Sequence, residues 1–381
     1  MSIHSFSFPT AIHFGAGART LVAGHLKSAG VKRPLIVTDK GVAALPMTST
    51  LASDLRAAAL EPAVFGGVFG NPTASQVRAG VAAFRAHGAD GVVGVGGGAA
   101  LDVAKAVALM AAHPGDVLDY AWDNPAGARV QHPLPHLVAL PTTAGTGSEV
   151  GRSAVISDDA THVKKIVFSP ALLPKAVFAD PELTLELPSA ITAATGMDAL
   201  AHNVEGYLSP AYHPLCDGIA LEGARIAARA LPIAVRDGRD LAARADMLMA
   251  SMMGAIAFQK DLGAVHSCAH ALGTVANLHH GLAVGIMFDH VMRFNAPVAA
   301  DRLGELARVC LDGKNAADFV GWLGWLKHDI GIPARLDAVG VKREQVPRLV
   351  EVALADGCHK TNPRACTAAD FERLFLAALE G

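Results

Sequence analysis

The sequence predicts an α/β parallel-sheet domain followed by an all-helical domain, and three observations carry that expectation. Up to about residue 180, short β-rich runs alternate with Ala-rich amphipathic stretches. Those runs are nearly continuous in apolar residues, as strands covered on both faces must be. Beyond residue 188 they vanish, and apolar residues recur at the 3.6-residue helical period. A chain of 381 residues has room for two domains. The change of pattern places the boundary near 185, giving a domain over 1–185 and a second over 186–381.

The strands of the first domain are expected in PLIVTD (34–39), PAVFGG (62–67), GVVGVG (91–96), HLVALP (136–141) and AVFAD (176–180). Helical spacing falls between most of them, on 17–29, 72–87 and 99–112. Strand–helix alternation of this kind builds a parallel sheet with helices on both faces. In the second half, 189–207, 215–232, 236–258, 298–311 and 367–379 read as helices. No repeat of 20–50 residues exists, which excludes a solenoid. The 38 Gly and 21 Pro give many turns, but no low-complexity tract or Gly/Ser linker interrupts the chain.

Charge and cysteine usage remove whole classes of function. Net charge is −3 with no Lys/Arg block, so the basic footprint of a nucleic-acid surface is missing. No charge-free apolar stretch of about 18 residues offers a membrane span, and MSIHSFSFPTAIHFG has no basic region leading into an apolar one, so no signal peptide is expected. The five cysteines (Cys216, Cys268, Cys310, Cys358 and Cys366) are odd in number and never form C-x-x-C. Scattered thiols of this kind suit a reducing, cytoplasmic setting.

Two loops in the first domain are candidates for an anionic ligand, the alternatives being glycines kept for tight packing in the first and a polar turn satisfying its own backbone in the second. GVVGVGGGAALDVAKAVALM (91–110) reads strand, glycine turn, helix, with Gly96, Gly97 and Gly98 allowing close backbone approach to an anion at the helix start. Asp102 and Lys105 sit in the first turns of that helix, and Gly94-x-Gly96-x-x-Ala99 fits the loose dinucleotide pattern. PTTAGTGSEV (141–150) follows another buried strand and stacks Thr142, Thr143, Thr146 and Ser148 with two glycines, donors suited to phosphate or ribose. Ligands sit at the carboxyl ends of such strands, so a Rossmann-like domain is expected. Asp39 ends PLIVTD, where an acid either bonds adenosine ribose, favouring NAD over NADP, or caps the next helix. It precedes the glycine loop instead of following it, so the sheet is not the standard dinucleotide fold.

The histidines concentrate in the helical half, where seven of seventeen fall between 202 and 290. Asp198-x-x-x-His202 and His266-x-x-x-His270 each place two side chains on one helical face, and His279-His280-Gly281 opens another apparent helix. Imidazoles and a carboxylate inside an apolar domain need partners, and a shared cation provides one. Oxygen and nitrogen ligands without thiolate suit Fe(II), Zn, Co or Mn.

Together these motifs resemble the iron-containing (group III) alcohol dehydrogenase family. The carrying residues are GGGAALDVAK (96–105), PTTAGTGSE (141–149), LLPKAVFADPELTLELP (172–188), ATGMDALAHNVEGY (194–207), VHSCAHALG with HHG (265–281), and DGCHKTNPR (356–364). They span nearly the whole chain in the family's order. The resemblance implies the dehydroquinate synthase-like fold, NAD as cofactor and a homodimer, for which the β-rich stretch 4–14 offers a two-fold pairing edge. It also implies iron, or zinc or another divalent ion, on Asp198, His202, His266 and His280. His270 then matches the family's non-ligand histidine beside the nicotinamide, and His279 is a neighbour only. Asn71, Gly97, Gly98, Thr142, Thr143, Lys164 and Leu183 match cofactor contacts; Asp39, Asp102 and Thr146 join them from the loops above. Ala99 replaces the family's usual serine, losing one hydroxyl worth about 1 kcal/mol near the pyrophosphate.

The activity implied is hydride exchange between a small primary alcohol, or its aldehyde, and nicotinamide, with the cation polarising the substrate oxygen and His270 relaying the hydroxyl proton. His359 and Lys360 raise an ω-hydroxy acid such as 4-hydroxybutyrate as an alternative substrate, if a cation there holds a carboxylate. A lyase of the dehydroquinate synthase type would need a basic cluster that 198–281 lacks. A non-catalytic metal or nucleotide binder is the remaining alternative.

Overall fold

A computed structural model describes residues 8, 10–125 and 127–380, which form two compact units. One spans 8–143 and 147–184; the other spans 185–380 and takes in Ala144–Thr146, a stretch that lies within 1–185 in sequence.

In the first unit the strands are β1 (Ala11–Phe14), β2 (Pro34–Asp39), β3 (Ala63–Val68), β4 (Gly91–Gly96), β5 (His136–Pro141), β6 (Ser153–Ser157), β7 (Lys164–Phe168) and β8 (Ala176–Ala179). Its helices are α1 (Val22–Ser28), α2 (Lys40–Ala43), α3 (Pro46–Ala57), α4 (Ala74–His87) and α5 (Gly98–Ala112). Six strands make one parallel sheet in the order β1-β8-β5-β4-β2-β3. Side chains alternate between two apolar layers, as the period of a strand requires. Leu35, Val37, Val92 and Leu137 join the layer under α4 and α5, while Ile36, Val93, Val95 and Val138 join the layer under α1 and α3. Ile36, Val93 and Val138 are wholly buried, each contributing about 1.5–3 kcal/mol.

The antiparallel hairpin β6–β7 is the departure from a purely parallel reading. Its strands SAVIS and KKIVF are short and carry polar ends, so they lack the continuous apolar run of the central strands. Ala154, Ile156 and Val167 still reach the core on one face.

The second unit is helical: α6 (Ser189–Leu208), α7 (Pro214–Arg236), α8 (Leu241–Ala257), α9 (Ala264–Ala276), α10 (His280–Leu311), α11 (Ala316–Asp329), α12 (Val346–Ala355) and α13 (Ala368–Glu380). The segment read as 298–311 is the second half of α10, which bends at Ala299 beside Pro297. Leu241–Lys260 is long and apolar enough to cross a membrane by composition. It carries Arg244 and Asp246, and α8 packs against α6 and α7. The proposed pairing edge 4–14 lies partly outside the described residues; the strand in its described part, β1, pairs with β8.

Candidate active site

In the first unit, the chain leaves β2 toward one edge of the sheet and leaves β4 toward the other. The carboxyl ends of β2 and β4 therefore flank a topological switch point, where a crevice opens. A cavity of about 330 Å³ lies there, lined among others by Asp39, Lys40, Phe69, Gly70, Gly97 and Ala99. Gly96 has φ +143°, and a Cβ on it would stand 2.6 Å from the Ala100 methyl, so only glycine makes this turn. Gly97 is the N-cap of α5 and offers no side-chain cap, leaving the first-turn amides of α5 for a ligand.

Of the loop residues, Asp39, Gly97 and Ala99 share the cavity wall, with Gly98 between them in sequence. Asp39 does cap a helix: its Oδ1 accepts from the Gly41 and Val42 amides at 2.9 Å each. Its second oxygen takes no hydrogen bond among the described residues. Thr142 donates its amide to the Gly96 carbonyl at 3.0 Å, and the Thr143 side chain lies against Gly97. Asn71 is exposed on the loop after β3, and Lys164 opens β7. Leu183 packs its side chain into the core, and Thr146 belongs to the segment that groups with the helices.

Asp102 turns inward. Its oxygens accept from Ser148 Oγ at 2.6 Å and the Val155 amide at 2.9 Å, beside the buried ammonium of Lys105. Lys105 donates to Ser148 Oγ and the Ser153 carbonyl. This buried group ties α5 to β6. Glu149 lies buried close by, and burial pushes its carboxyl up to about 7.

In the helical unit, α6 carries Asp198 and His202 one turn apart, α9 carries His266 and His270, and α10 begins at His280. Asn277, at φ +51°, ends α9 in the left-handed conformation that asparagine tolerates, so a short turn returns the chain at His280. Gly281 then lets α10 touch α6: a Cβ would fall 2.7 Å from the Ala194 carbonyl carbon.

The result is three imidazoles converging on one carboxylate oxygen. Asp198 Oδ1 stands 3.6 Å from His202 Nε2, 3.4 Å from His266 Nε2 and 3.4 Å from His280 Nε2. Among the described residues, Asp198 Oδ1 and His266 Nε2 are buried and take no hydrogen bond, a costly arrangement unless something else occupies the space between them. Ligands bound at about 2.0–2.2 Å around a tetrahedral ion sit roughly 3.3–3.6 Å apart. The donor set therefore fits a divalent cation held by nitrogen and oxygen. His279, at the N-cap of α10, is exposed.

A second layer fixes these imidazoles. His266 Nδ1 is 2.6 Å from Glu205 Oε2, and Glu205 Oε1 accepts the Val265 amide at 2.8 Å. His202 Nδ1 faces the Gly145 carbonyl at 3.3 Å and its ring lies beside Phe258. Burial lowers His202 to about 4, leaving its nitrogen unprotonated and able to ligate. Burial also opposes charge on His266, but the neighbouring Asp198 carboxylate and the hydrogen bond to Glu205 outweigh it and raise that imidazole to about 9. Two buried carboxylates demand positive charge here; a proton on His266 Nε2 can supply it, and a cation bound at that nitrogen would take the proton's place.

His270 stands outside this set, its ring stacked on His280, with Nδ1 2.8 Å from Asp356 Oδ2. His359 turns its ring to the Leu354 carbonyl and Phe371, and Lys360 is exposed. Sequence reasoning missed Glu205 and Asp356. Glu205 had a signal: Asp198, His202 and Glu205 follow i, i+4, i+7 spacing on one helical face. Asp356 opens the motif DGCHKTNPR, but 86 positions separate it from His270 and nothing in the sequence pairs the two.

Residues 9–181 match the family described as iron-containing alcohol dehydrogenase, and residues 192–379 match its C-terminal family. A 4-hydroxybutyrate dehydrogenase of Cupriavidus necator is 42% identical over 96% of this chain and 97% of its own. A solved 1,3-propanediol oxidoreductase superposes with a TM-score of 0.94 at 36% identity, covering 99% of this chain and 100% of its own. Sulfoacetaldehyde reductase from Bifidobacterium kashiwanohense, solved with NAD+, gives 0.90 at 29% identity and covers 99% of both chains. On these matches, carried across both units, the chain belongs to the iron-containing alcohol dehydrogenase family.

Proposed function

We propose that the chain is an NAD-linked dehydrogenase that interconverts a small primary alcohol and its aldehyde around a ferrous ion. The observation that carries this is the convergence of His202, His266 and His280 on Asp198 at 3.4–3.6 Å in a member of this family. Those four residues would hold the ion, with zinc or another divalent metal as substitutes the same donors accept. When bound, the cation supplies a Lewis acid for the substrate oxygen and NAD supplies the hydride acceptor. Glu205 and the Gly145 carbonyl orient two of the imidazoles. His270 receives the hydroxyl proton at Nε2. The switch-point crevice, with α5 amides, Asp39, Gly97, Gly98 and Ala99, takes the nucleotide; Asn71, Thr142, Thr143, Thr146, Lys164 and Leu183 complete the proposed contacts, and Asp102, whose oxygens are held by Ser148 and Val155, is left out of them. Asp39 favours NAD over NADP.

A second reading, oxidation of an ω-hydroxy acid, is favoured by the 42% identity to a 4-hydroxybutyrate dehydrogenase. The engaged ring of His359 leaves Lys360 as the stronger of the two candidate carboxylate partners. A cytoplasmic homodimer completes the proposal; the five free cysteines support a reducing compartment. Light scattering after gel filtration tests the dimer.

The decisive assay adds NAD, ferrous iron and a panel of alcohols anaerobically and follows absorbance at 340 nm. His202→Ala should abolish turnover with loss of metal, and His270→Ala should lower turnover with metal retained. Metal loss from His270→Ala would refute the ligand set. The ratio of kcat/KM for butanol and 4-hydroxybutyrate, with and without Lys360→Ala, separates the two substrates; an unchanged ratio removes Lys360.

A further inference from the structure

The motif DGCHKTNPR (356–364) falls at the end of α12 and in the turn beyond it, and three of its polar side chains, Asp356, Thr361 and Asn362, bind at or just before the start of α9. Thr361 Oγ1 donates to the Leu262 carbonyl at 2.8 Å, and Asn362 Oδ1 accepts from the Ala264 amide at 3.2 Å. Asn362 is itself locked to Asn295 by a reciprocal pair of hydrogen bonds at 2.7 and 3.0 Å. The strap therefore fixes the helix that presents His266 and His270, and Asp356 is its contact with an imidazole.

We propose that Asp356 is the positioning residue for His270, holding the ring in the tautomer that carries its proton on Nδ1 and keeps Nε2 as the acceptor. The proposal rests on the reading of His270 as the proton carrier. Asp356 Oδ2 lies 2.8 Å from His270 Nδ1. The other oxygen accepts from Ser267 Oγ at 2.7 Å and the Cys358 amide at 2.8 Å. Burial works against the carboxylate, yet the hydrogen bonds from His270, Ser267 and Cys358 hold it well below the usual range. An ionised carboxylate only accepts, so the proton between it and the ring resides on Nδ1.

A cation shared by His270, Asp356 and Cys358 is the competing account, because their ligand atoms lie within 4.8 Å of one another. The spacing speaks against it. At 2.8 Å the Nδ1–Oδ2 separation is a hydrogen-bond length, shorter than the roughly 3.3–3.6 Å edge a tetrahedral ion imposes.

Asp356→Asn tests the assignment sharply. The Cys358 amide can only donate, so it fixes the new amide with its oxygen toward Cys358 and its NH2 toward His270. Nδ1 must then accept, and the ring proton moves to Nε2. Nitrogen-15 spectra of histidine-labelled, zinc-loaded protein should show the His270 proton shifting from Nδ1 to Nε2, with one metal per chain in both proteins. Turnover should fall between about 10²- and 10⁴-fold, with little change in KM for the alcohol. In a His270→Ala background the same substitution should cost nothing further. An unchanged tautomer, a second metal per chain in the parent protein, or an equal loss in the His270→Ala background would each overturn the assignment. The spectra need neither substrate nor NAD. A tautomer shift without loss of turnover would therefore place the failure in His270's role in the reaction, overturning the catalytic part while Asp356's hold on the ring is measured directly.

Discussion

Glu205→Gln changes one atom type in the proposed metal centre and should weaken metal binding 10- to 100-fold, the range found when a partner behind a metal-binding histidine is lost. Glu205 spends one oxygen on the Val265 amide at 2.8 Å and the other on His266 Nδ1 at 2.6 Å. A backbone amide can only donate, so glutamine must turn its carbonyl to Val265 and its NH2 to His266. Nδ1 then accepts, the ring proton moves to Nε2, and the atom 3.4 Å from Asp198 Oδ1 loses the lone pair a cation needs. The lost bond to a charged group is worth about 1.5–3 kcal/mol, which agrees with the 10- to 100-fold range, or about 1.4–2.7 kcal/mol. Competitive titration of zinc against a chromogenic chelator measures this directly, with circular dichroism confirming an intact fold. An affinity within threefold of the parent would show that Glu205 does not orient His266.

Three other perturbations probe separate parts of the molecule. Gly281→Ala puts a methyl 2.7 Å from the Ala194 carbonyl carbon, so α10 must retreat with His280; stability should drop by about 1–3 kcal/mol and metal content with it, and a normal melting temperature with full metal would refute the close-approach argument. Asp39→Asn keeps the cap on α2, because asparagine caps as well as aspartate, but removes the charge facing a 2′-phosphate. Relief of about 1–2 kcal/mol of repulsion should raise kcat/KM with NADP about tenfold at unchanged stability; a constant NADP-to-NAD ratio would sink the role of Asp39. Glu149, raised by burial to about 7 from 4.5, holds a proton in the folded state that the unfolded chain releases. Its contribution to stability is thus full below pH 4.5 and lost as pH rises through about 7, so Glu149→Gln should gain in melting temperature on the parent between pH 5 and 8. A pH-independent gap would count against it.

The parallel sheet was legible because its strands are buried on both faces. PLIVTD, GVVGVG and HLVALP carry apolar residues at nearly every position, and all three sit in the sheet centre. The hairpin β6–β7 was not, because one of its faces is open and Lys164 and Lys165 interrupt the pattern. The helices α11 and α12 were passed over for other reasons: residues 319–326 of α11, FVGWLGWL, are an unbroken run of apolar residues and glycines that shows no helical period, and α12 has only ten residues with Pro347 in its first turn. Asp102 illustrates the limit of motif reading. Its place beside the glycine turn drew it toward the nucleotide, whereas its oxygens are spent on Ser148 and Val155.

At the proposed metal centre, sequence spacing reveals pairs on one helix and leaves the pairing between helices open. Asp198 and His202 declare themselves by lying one turn apart, and so do His266 and His270, yet the second pair divides its labour. His266 points to Asp198 at 3.4 Å, while His270 is drawn to Asp356 at 2.8 Å. What separates them is the acceptor behind each Nδ1, supplied by α6 for His266 and by the end of α12 for His270. Neither acceptor is local in sequence. Two imidazoles of identical spacing thus acquire different work from the carboxylates that hold their backs, and exchanging the acceptors should exchange the consequences: Glu205→Gln costs metal, and Asp356→Asn costs turnover with metal retained. Equal metal loss in both variants would show that α9 responds as one rigid body and that the two carboxylates do not act on separate rings.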